Sequence, residues 1–149
     1  MTKNISGYEF KFVEEIKPKL ENGKVKSYNY KDEEGILEKF RDMQFCDFKV
    51  SGLTGASGVY VLFADEKIAY IGCAENLAVR WGNSNYAHIA PANCKKGGQP
   101  ANVRVNNHIY VTTSNGHTNS LYVYETEDYK AVESKLLQEN ETILNKKKR

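Results

Sequence analysis

The sequence predicts an α/β fold of the α+β kind, with short strands and helices behind an N-terminal extension. Three observations carry this. Val59–Phe63 and Ile68–Ile71 are short apolar runs joined by Ala64-Asp65-Glu66-Lys67, a linker of hairpin length. Residues that commonly open helices follow at Asn76, Pro100 and Asp128. Leu121-Tyr122-Val123-Tyr124 is a further apolar run between the last two of these. From residue 56 onward the order therefore reads strand, strand, helix, helix, strand, helix.

The extension, residues 1–55, ends where small residues cluster at Ser51-Gly52-Leu53-Thr54-Gly55-Ala56-Ser57-Gly58. Within it, Tyr8-Glu9-Phe10-Lys11-Phe12 alternates apolar and polar and predicts a strand. Glu21-Asn22-Gly23 predicts a turn, with Lys24–Tyr30 as a second strand. Asp32 is placed to cap a helix reaching Gln44. Glu33 and Glu34 stand in its first turn, and Ile36, Leu37, Phe40 and Met43 form its buried stripe. No chemical motif marks this segment, which reads as a packing or substrate-recognition extension. In the second part, residues 56–149, Asn76 caps a short helix and Pro100 opens another through about Tyr110. Ser114-Asn115-Gly116-His117 makes a turn. Asp128 caps a last helix carrying Val132, Leu136, Asn140 and Ile143.

A chain of 149 residues with 40% hydrophobic and 27% charged side chains suits one modest domain plus an extension. No run approaches the ~20 apolar residues of a membrane span, and Met1-Thr2-Lys3-Asn4-Ile5 has no secretory core. Cys46, Cys73 and Cys94 show no C-x-x-C spacing, which points to reduced thiols and a cytoplasmic location. Net charge is only +2, but its distribution is uneven. Between Glu75 and Glu125 there is no acidic residue, while Arg80, Lys95, Lys96, Arg104, three histidines and nine asparagines fall there. Lys146-Lys147-Lys148-Arg149 closes the chain. Such an interval attracts a polyanion and does not repel it, so nucleic acid is the expected partner.

Two short words, Gly58-Val59-Tyr60 and Tyr70-Ile71-Gly72, precede Arg80 in Asn76-Leu77-Ala78-Val79-Arg80-Trp81. Adjacent antiparallel strands can present both phenols on one face, and the planar guanidinium fits two phosphate oxygens. Hydrolysis of a phosphodiester needs a base, positive charge at the phosphate and help for the leaving oxygen. Tyr60, Tyr70, Arg80, His88 and Glu133 are the candidates. Glu133 is a single carboxylate on the last helix, and one carboxylate with several waters is a normal way to hold magnesium. Phenols are weak bases unless a nearby cation lowers their pKa.

On these residues the chain resembles the GIY-YIG nuclease family over about Ser57–Asn145. The resemblance implies a small three-stranded antiparallel sheet flanked by helices, and metal-dependent DNA endonuclease activity with one Mg2+ or Mn2+. It implies Tyr60 and Tyr70 as motif tyrosines, one of which activates water with or without a histidine. Arg80 is then the phosphate-binding arginine, Glu133 the metal ligand, and Asn145 the asparagine that follows it. Val59 departs from the usual isoleucine. Cys73 stands where repair-type members have lysine. Ser84 stands where members commonly carry histidine or tyrosine, and Tyr86 or His88 could supply that group from a shifted position. The elaborated stretch 82–119 offers Lys95, Lys96, Asn102, Arg104 and Asn106 for phosphate and base-edge contacts. A palindrome-reading member would be a dimer and a structure-specific one need not be. A catalytically inactive DNA-binding module is the alternative. Other chemistry lacks a pattern: Gly97-Gly98 is not a Walker loop, and the histidines show no zinc spacing.

Overall fold

The computed structural model describes residues 1–83 and 85–145, so Ser84 and the basic tail Lys146–Arg149 lie outside the described residues. Among the described residues seven strands form, β1 (Thr2–Ile5), β2 (Tyr8–Ile16), β3 (Leu20–Glu21), β4 (Lys24–Val25), β5 (Gly58–Ala64), β6 (Lys67–Ala74) and β7 (Asn119–Glu125). Among the same residues three α-helices form, α1 (Leu77–Arg80), α2 (Pro100–Ser114) and α3 (Tyr129–Glu139). The class is mixed α+β. The expected hairpin is present as β5 and β6, and β7 pairs with the other side of β5.

The sheet itself is larger than expected. It has five antiparallel strands in the order β1-β2-β7-β5-β6, not three. The additional pair comes from the N-terminal segment. Ser6 and Gly7 both take positive φ (54° and 91°), which turns β1 into β2 with the twist a two-residue hairpin needs. Without β2, the apolar strand β7 would present an open edge; with it, Lys11 faces Val123 and Ile16 faces Asn119 in register. Phe10 and Ile16 are buried as a result.

The helix expected over 32–44 is absent. Only a single 3-10 turn, Glu38–Phe40, forms there. Gly35 takes a φ of 82°, and Leu37 donates its N–H to the carbonyl of Cys94 at 2.9 Å. Tyr28 and Phe45 exchange backbone bonds across the segment at 3.1 and 2.8 Å. These long-range bonds replace the helical ladder. The apolar stripe is still used: Ile36 and Phe40 are buried with Phe45, Ile89, Cys94 and Val103. The expected strand Lys24–Tyr30 is limited to Lys24–Val25.

Beyond the break, local signals and structure agree closely. The Asn76 side chain accepts the Val79 N–H at 3.0 Å and starts α1, and Pro100 is the first residue of α2. Asp128 occupies the N-cap of α3 without a side-chain cap bond. That helix ends at Glu139, so Asn140 and Ile143 lie beyond it. The sheet separates two apolar layers. Tyr60 and Leu62 pack on one face with Trp81, Tyr86, Val105 and Ile109, while Val59, Val61 and Ile71 pack on the other with Val132 and Leu136. Among the described residues, no helix is long and apolar enough to cross a membrane.

Strand β6 is an edge of the sheet, and the C-terminal segment covers part of it. Ile143 and Leu144 donate to the carbonyls of Ile68 and Ala69 at 3.1 and 2.8 Å. Asn145 then accepts the Ile71 N–H and donates to the Ile71 carbonyl, both at 2.9 Å. One amide side chain thus stands in for a neighbouring strand at that residue. Asn145→Ala is expected to cost about 1–2 kcal/mol and to speed amide exchange at Ile71 selectively, read by hydrogen-exchange NMR alongside urea unfolding.

Candidate functional site

Both glycines of the paired words are dictated by contact. A Cβ on Gly72 would lie 2.4 Å from the Tyr60 hydroxyl oxygen and 2.5 Å from its Cζ. A Cβ on Gly58 would lie 2.6 Å from the Tyr124 carbonyl oxygen. Gly72 is therefore the floor on which the Tyr60 ring rests, directly opposite it in the β5–β6 register. The ring of Tyr70 stacks beside Tyr60 with centroids 6.4 Å apart, so the two motif tyrosines do share one face.

Arg80, at the end of α1, reaches the same place. Its Nε donates to the Tyr60 hydroxyl at 3.4 Å and its Nη2 to the Tyr86 hydroxyl at 3.2 Å. The two hydroxyls bond each other at 2.6 Å. The guanidinium also lies over the Tyr86 ring, 4.7 Å from its centroid. Tyr86 and Trp81 are buried, and Tyr60 is 1% exposed. Of the two residues weighed for the shifted position, Tyr86 joins this cluster.

Glu133 approaches from the other sheet face. Residues of β6 alternate, so Tyr70 and Gly72 face Tyr60 while Cys73 faces α3. Glu133 is half-buried against the Cys73 thiol. Burial raises its carboxyl above the ordinary 4.5, and Cys73 works the other way. The thiol is in turn pushed up to about 12, by burial and then by Glu133. Electrostatic influence from Glu133 reaches Tyr70, and that of Arg80 reaches Cys73. The candidate site thus straddles the open end of edge strand β6. A cleft of ≈ 350 Å³ lies there, lined in part by Cys73, Asn76, Arg80 and Asn85. Among the described residues no ion pair joins Arg80 to Glu133.

All three phenols are held protonated. Burial pushes Tyr60 well above its ordinary value, Tyr70 adds to this, and Arg80 opposes it. Burial dominates likewise at Tyr70 and Tyr86, and Arg80 lowers both.

The other expected residues are placed elsewhere. His88 bonds Asp47 at 2.7 Å, with the Tyr28 hydroxyl 3.3 Å from the same nitrogen, and its ring stacks on Tyr28. It shares no bond or ring contact with Tyr60, Tyr70, Arg80 or Glu133. Asn102 and Asn106 were expected at a nucleic-acid surface but are fully buried, which removes them from it. Asn106 bonds the backbone instead: it accepts the Cys46 N–H at 3.0 Å and donates to the carbonyls of Cys46 and Tyr86 at 2.8 Å each. It therefore fixes the loop that carries Tyr86. Arg104 is half-buried beside Lys39, Phe40 and Met43, and its Nε is buried without a partner. Lys95 packs its stem against Gly35, while Lys96 is exposed. Asn145 serves the β6 edge.

Divalent metal was expected at Glu133. Among the described residues, no group of three or more His, Cys, Asp or Glu side chains could hold an ion. The donor set fits only an ion that keeps most of its water, as magnesium does. A half-buried carboxylate joined in no ion pair is compatible with that.

Gly72→Ala is expected to lift the Tyr60 ring off the strand and destabilise the fold by about 1–3 kcal/mol. Tyr60→Phe keeps the ring and removes only the hydroxyl, so its cost is expected near 1 kcal/mol. Chemical denaturation of both variants gives the ordering; equal costs would refute the contact argument.

No family model, curated protein or solved structure matches the chain.

Proposed function

We propose that this protein is a metal-dependent DNA endonuclease of the GIY-YIG type, hydrolysing a phosphodiester at the cleft beside Arg80. The observation that carries the reading is a half-buried guanidinium held by two buried phenols, with no acidic partner among the described residues. A carboxylate-paired arginine would be neutralised; this one keeps its charge for an anion. Its bonds to Tyr60 and Tyr86 engage Nε and Nη2, which leaves the N–H groups of Nη1 for a phosphate oxygen. The acid-free interval from Glu75 to Glu125 supports a polyanionic substrate.

Each residue then has a role. Arg80 binds the scissile phosphate and stabilises the charge that develops on it. Tyr60 and Tyr86 orient Arg80, and Tyr60 is too deeply sealed to meet water. Tyr70 retains some exposed surface, so it is the phenol that, once it has lost its own proton to solvent, takes the proton from the attacking water. The new P–O bond forms as the old one breaks, and the leaving oxygen is protonated from solvent. Glu133 would hold the divalent ion, whose charge supplies Lewis-acid stabilisation of phosphate and leaving group when bound. Burial, and then Tyr86, raise the Tyr70 pKa and oppose the proton transfer to Tyr70; Arg80, which lowers it, offsets only part of that.

A second reading is a DNA-binding module without turnover. The burial that keeps all three phenols protonated favours it. Such a module would bind DNA with steep salt dependence and leave it intact.

With Mg2+ or Mn2+, the purified protein is expected to nick or cut at least one of plasmid, branched or single-stranded DNA. Arg80→Ala and Glu133→Ala are expected to reduce cutting by about 10²-fold or more with circular dichroism unchanged. Salt-sensitive binding without cleavage would select the second reading, and neither binding nor cleavage would reject both.

Cleavage should also depend on pH through Glu133. Burial raises its carboxyl, so its proton is retained to higher pH than an ordinary glutamate's. The ionised form needed for metal is lost as pH falls through that raised value. The acid limb of the rate profile is expected above 4.5, the ordinary value. At limiting metal, where the metal-free carboxyl sets the limb, an acid limb below it would contradict this role for Glu133.

A further inference from the structure

The three histidines show no ligand spacing along the chain, yet the fold brings two of them to one pocket. This pocket, of ≈ 330 Å³, lies at the β5–β6 turn and is lined by Asp65, Lys67, His108, Thr112, His117 and Ile143, among others. It belongs to the opposite end of the hairpin from Gly58 and Gly72. Helix α2 supplies His108, and the loop that follows supplies His117.

His117 is already oriented. Its Nδ1 bonds a carboxylate oxygen of Asp65 at 2.7 Å, while the other oxygen of Asp65 accepts the Thr118 N–H at 3.0 Å. The Asp65 N–H in turn donates to the Thr118 carbonyl at 2.7 Å. With Nδ1 committed to a carboxylate, Nε2 is the nitrogen left for a ligand. That is the carboxylate–histidine arrangement that fixes the tautomer of metal-binding imidazoles. The His117 side chain is 53% exposed, so an ion can reach it.

His108 supplies an independent observation. Its Nε2 is buried and has no hydrogen-bond partner. Thr112 does not provide one: its hydroxyl donates to the His108 backbone carbonyl at 2.7 Å and accepts from the Asn119 amide at 2.8 Å. An unpaired buried nitrogen costs free energy that a ligand at the pocket would recover.

We propose that this pocket is a binding site for a borderline divalent transition ion of the zinc and nickel class, ligated by the imidazoles of His108 and His117. Imidazole suits these ions, whereas magnesium prefers oxygen donors. No three His, Cys, Asp or Glu side chains close a cage among the described residues, so waters complete the coordination. Asp65 acts through His117. Glu66 and Lys67 on the rim offset each other in charge. The bound ion would tie α2, its following loop and the hairpin turn together. The proposal uses none of the residues assigned to phosphodiester hydrolysis.

The test is calorimetric titration of tag-free, EDTA-stripped full-length protein with Zn2+, alongside 15N-imidazole NMR. The expected result is saturable uptake of one Zn2+ ion per chain at this pocket, with the Nε2 signals of both histidines shifting and those signals unmoved by Mg2+. His117→Ala and His108→Ala are each expected to weaken binding by at least about tenfold, and Asp65→Asn by roughly tenfold. Cys73→Ser is expected to leave it unchanged. His117 is exposed, so its variant keeps the test decisive if the His108 variant fails to fold. Absence of one-to-one uptake, uptake unchanged in His117→Ala, or uptake lost in Cys73→Ser would each overturn the assignment.

Discussion

A guanidinium half-buried against phenols constrains the rest of this structure. Arg80 has no acidic partner among the described residues, so its charge is met by the oxygen lone pairs of Tyr60 and Tyr86 and by the π-face of Tyr86. Phenols are weaker partners than a carboxylate, and a hydrogen bond from a charged group nets only about 1.5–3 kcal/mol. The arrangement therefore requires that both hydroxyls be held in place by other means. Gly72 provides the floor for one ring, and the 2.6 Å bond between the hydroxyls couples the two. Trp81 packs against both, with ring centroids 5.4 Å from Tyr60 and 4.5 Å from Tyr86.

The N-terminal segment enters through the same constraint. Tyr86 lies in an irregular loop, where backbone position has no helical or sheet ladder to fix it. Asn106 replaces that ladder by joining the Tyr86 carbonyl to both backbone groups of Cys46. The chain around Cys46 is in turn held by the Tyr28–Phe45 backbone bonds. The first 55 residues thus do two things: they complete the sheet through β2, and they anchor the loop that presents Tyr86. Neither is visible as a motif, because both are made with backbone groups.

What was legible in the sequence was local. The hairpin, the Asn76 cap, the Pro100 start of α2 and the face shared by Tyr60 and Tyr70 all follow from spacing and residue type. What was not legible was long-range. The pairing of β2 with β7 joins residues more than a hundred positions apart, and no local signal selects β7 as the partner. The segment 32–44 carries a helical stripe and acidic first turn, but backbone bonds to Cys94 and across Tyr28–Phe45 outweigh that weak propensity. Asn102 and Asn106 looked like surface residues because they are polar. Their spacing carried the contrary signal: with Val105 and Ile109 they occupy positions i, i+3, i+4 and i+7, one helical face. Two of its members are apolar, so that face was the one to bury.

The hairpin also separates two chemistries. From Tyr60 to Asp65 is five residues of strand and turn, at most roughly 16 Å at ~3.3 Å per residue. Toward one end stand a carboxylate, a guanidinium and phenols, all oxygen and nitrogen groups suited to a hydrated hard ion and a phosphate. At the other stand two neutral-capable imidazoles, one oriented by Asp65 and one with a buried unpaired nitrogen. An ion chosen by imidazole is not the ion chosen by a single carboxylate with waters. Strand β6 connects them physically, since its first residue, Lys67, lines the imidazole pocket and its last residues, Cys73 and Ala74, border the cleft. An ion at the turn would stiffen that strand at one end, while Asn145 holds its middle at Ile71. Among the described residues, the stretch from Gly72 to Ala74 is then the part of the edge without a partner, and it is where Arg80 and Glu133 approach from opposite faces.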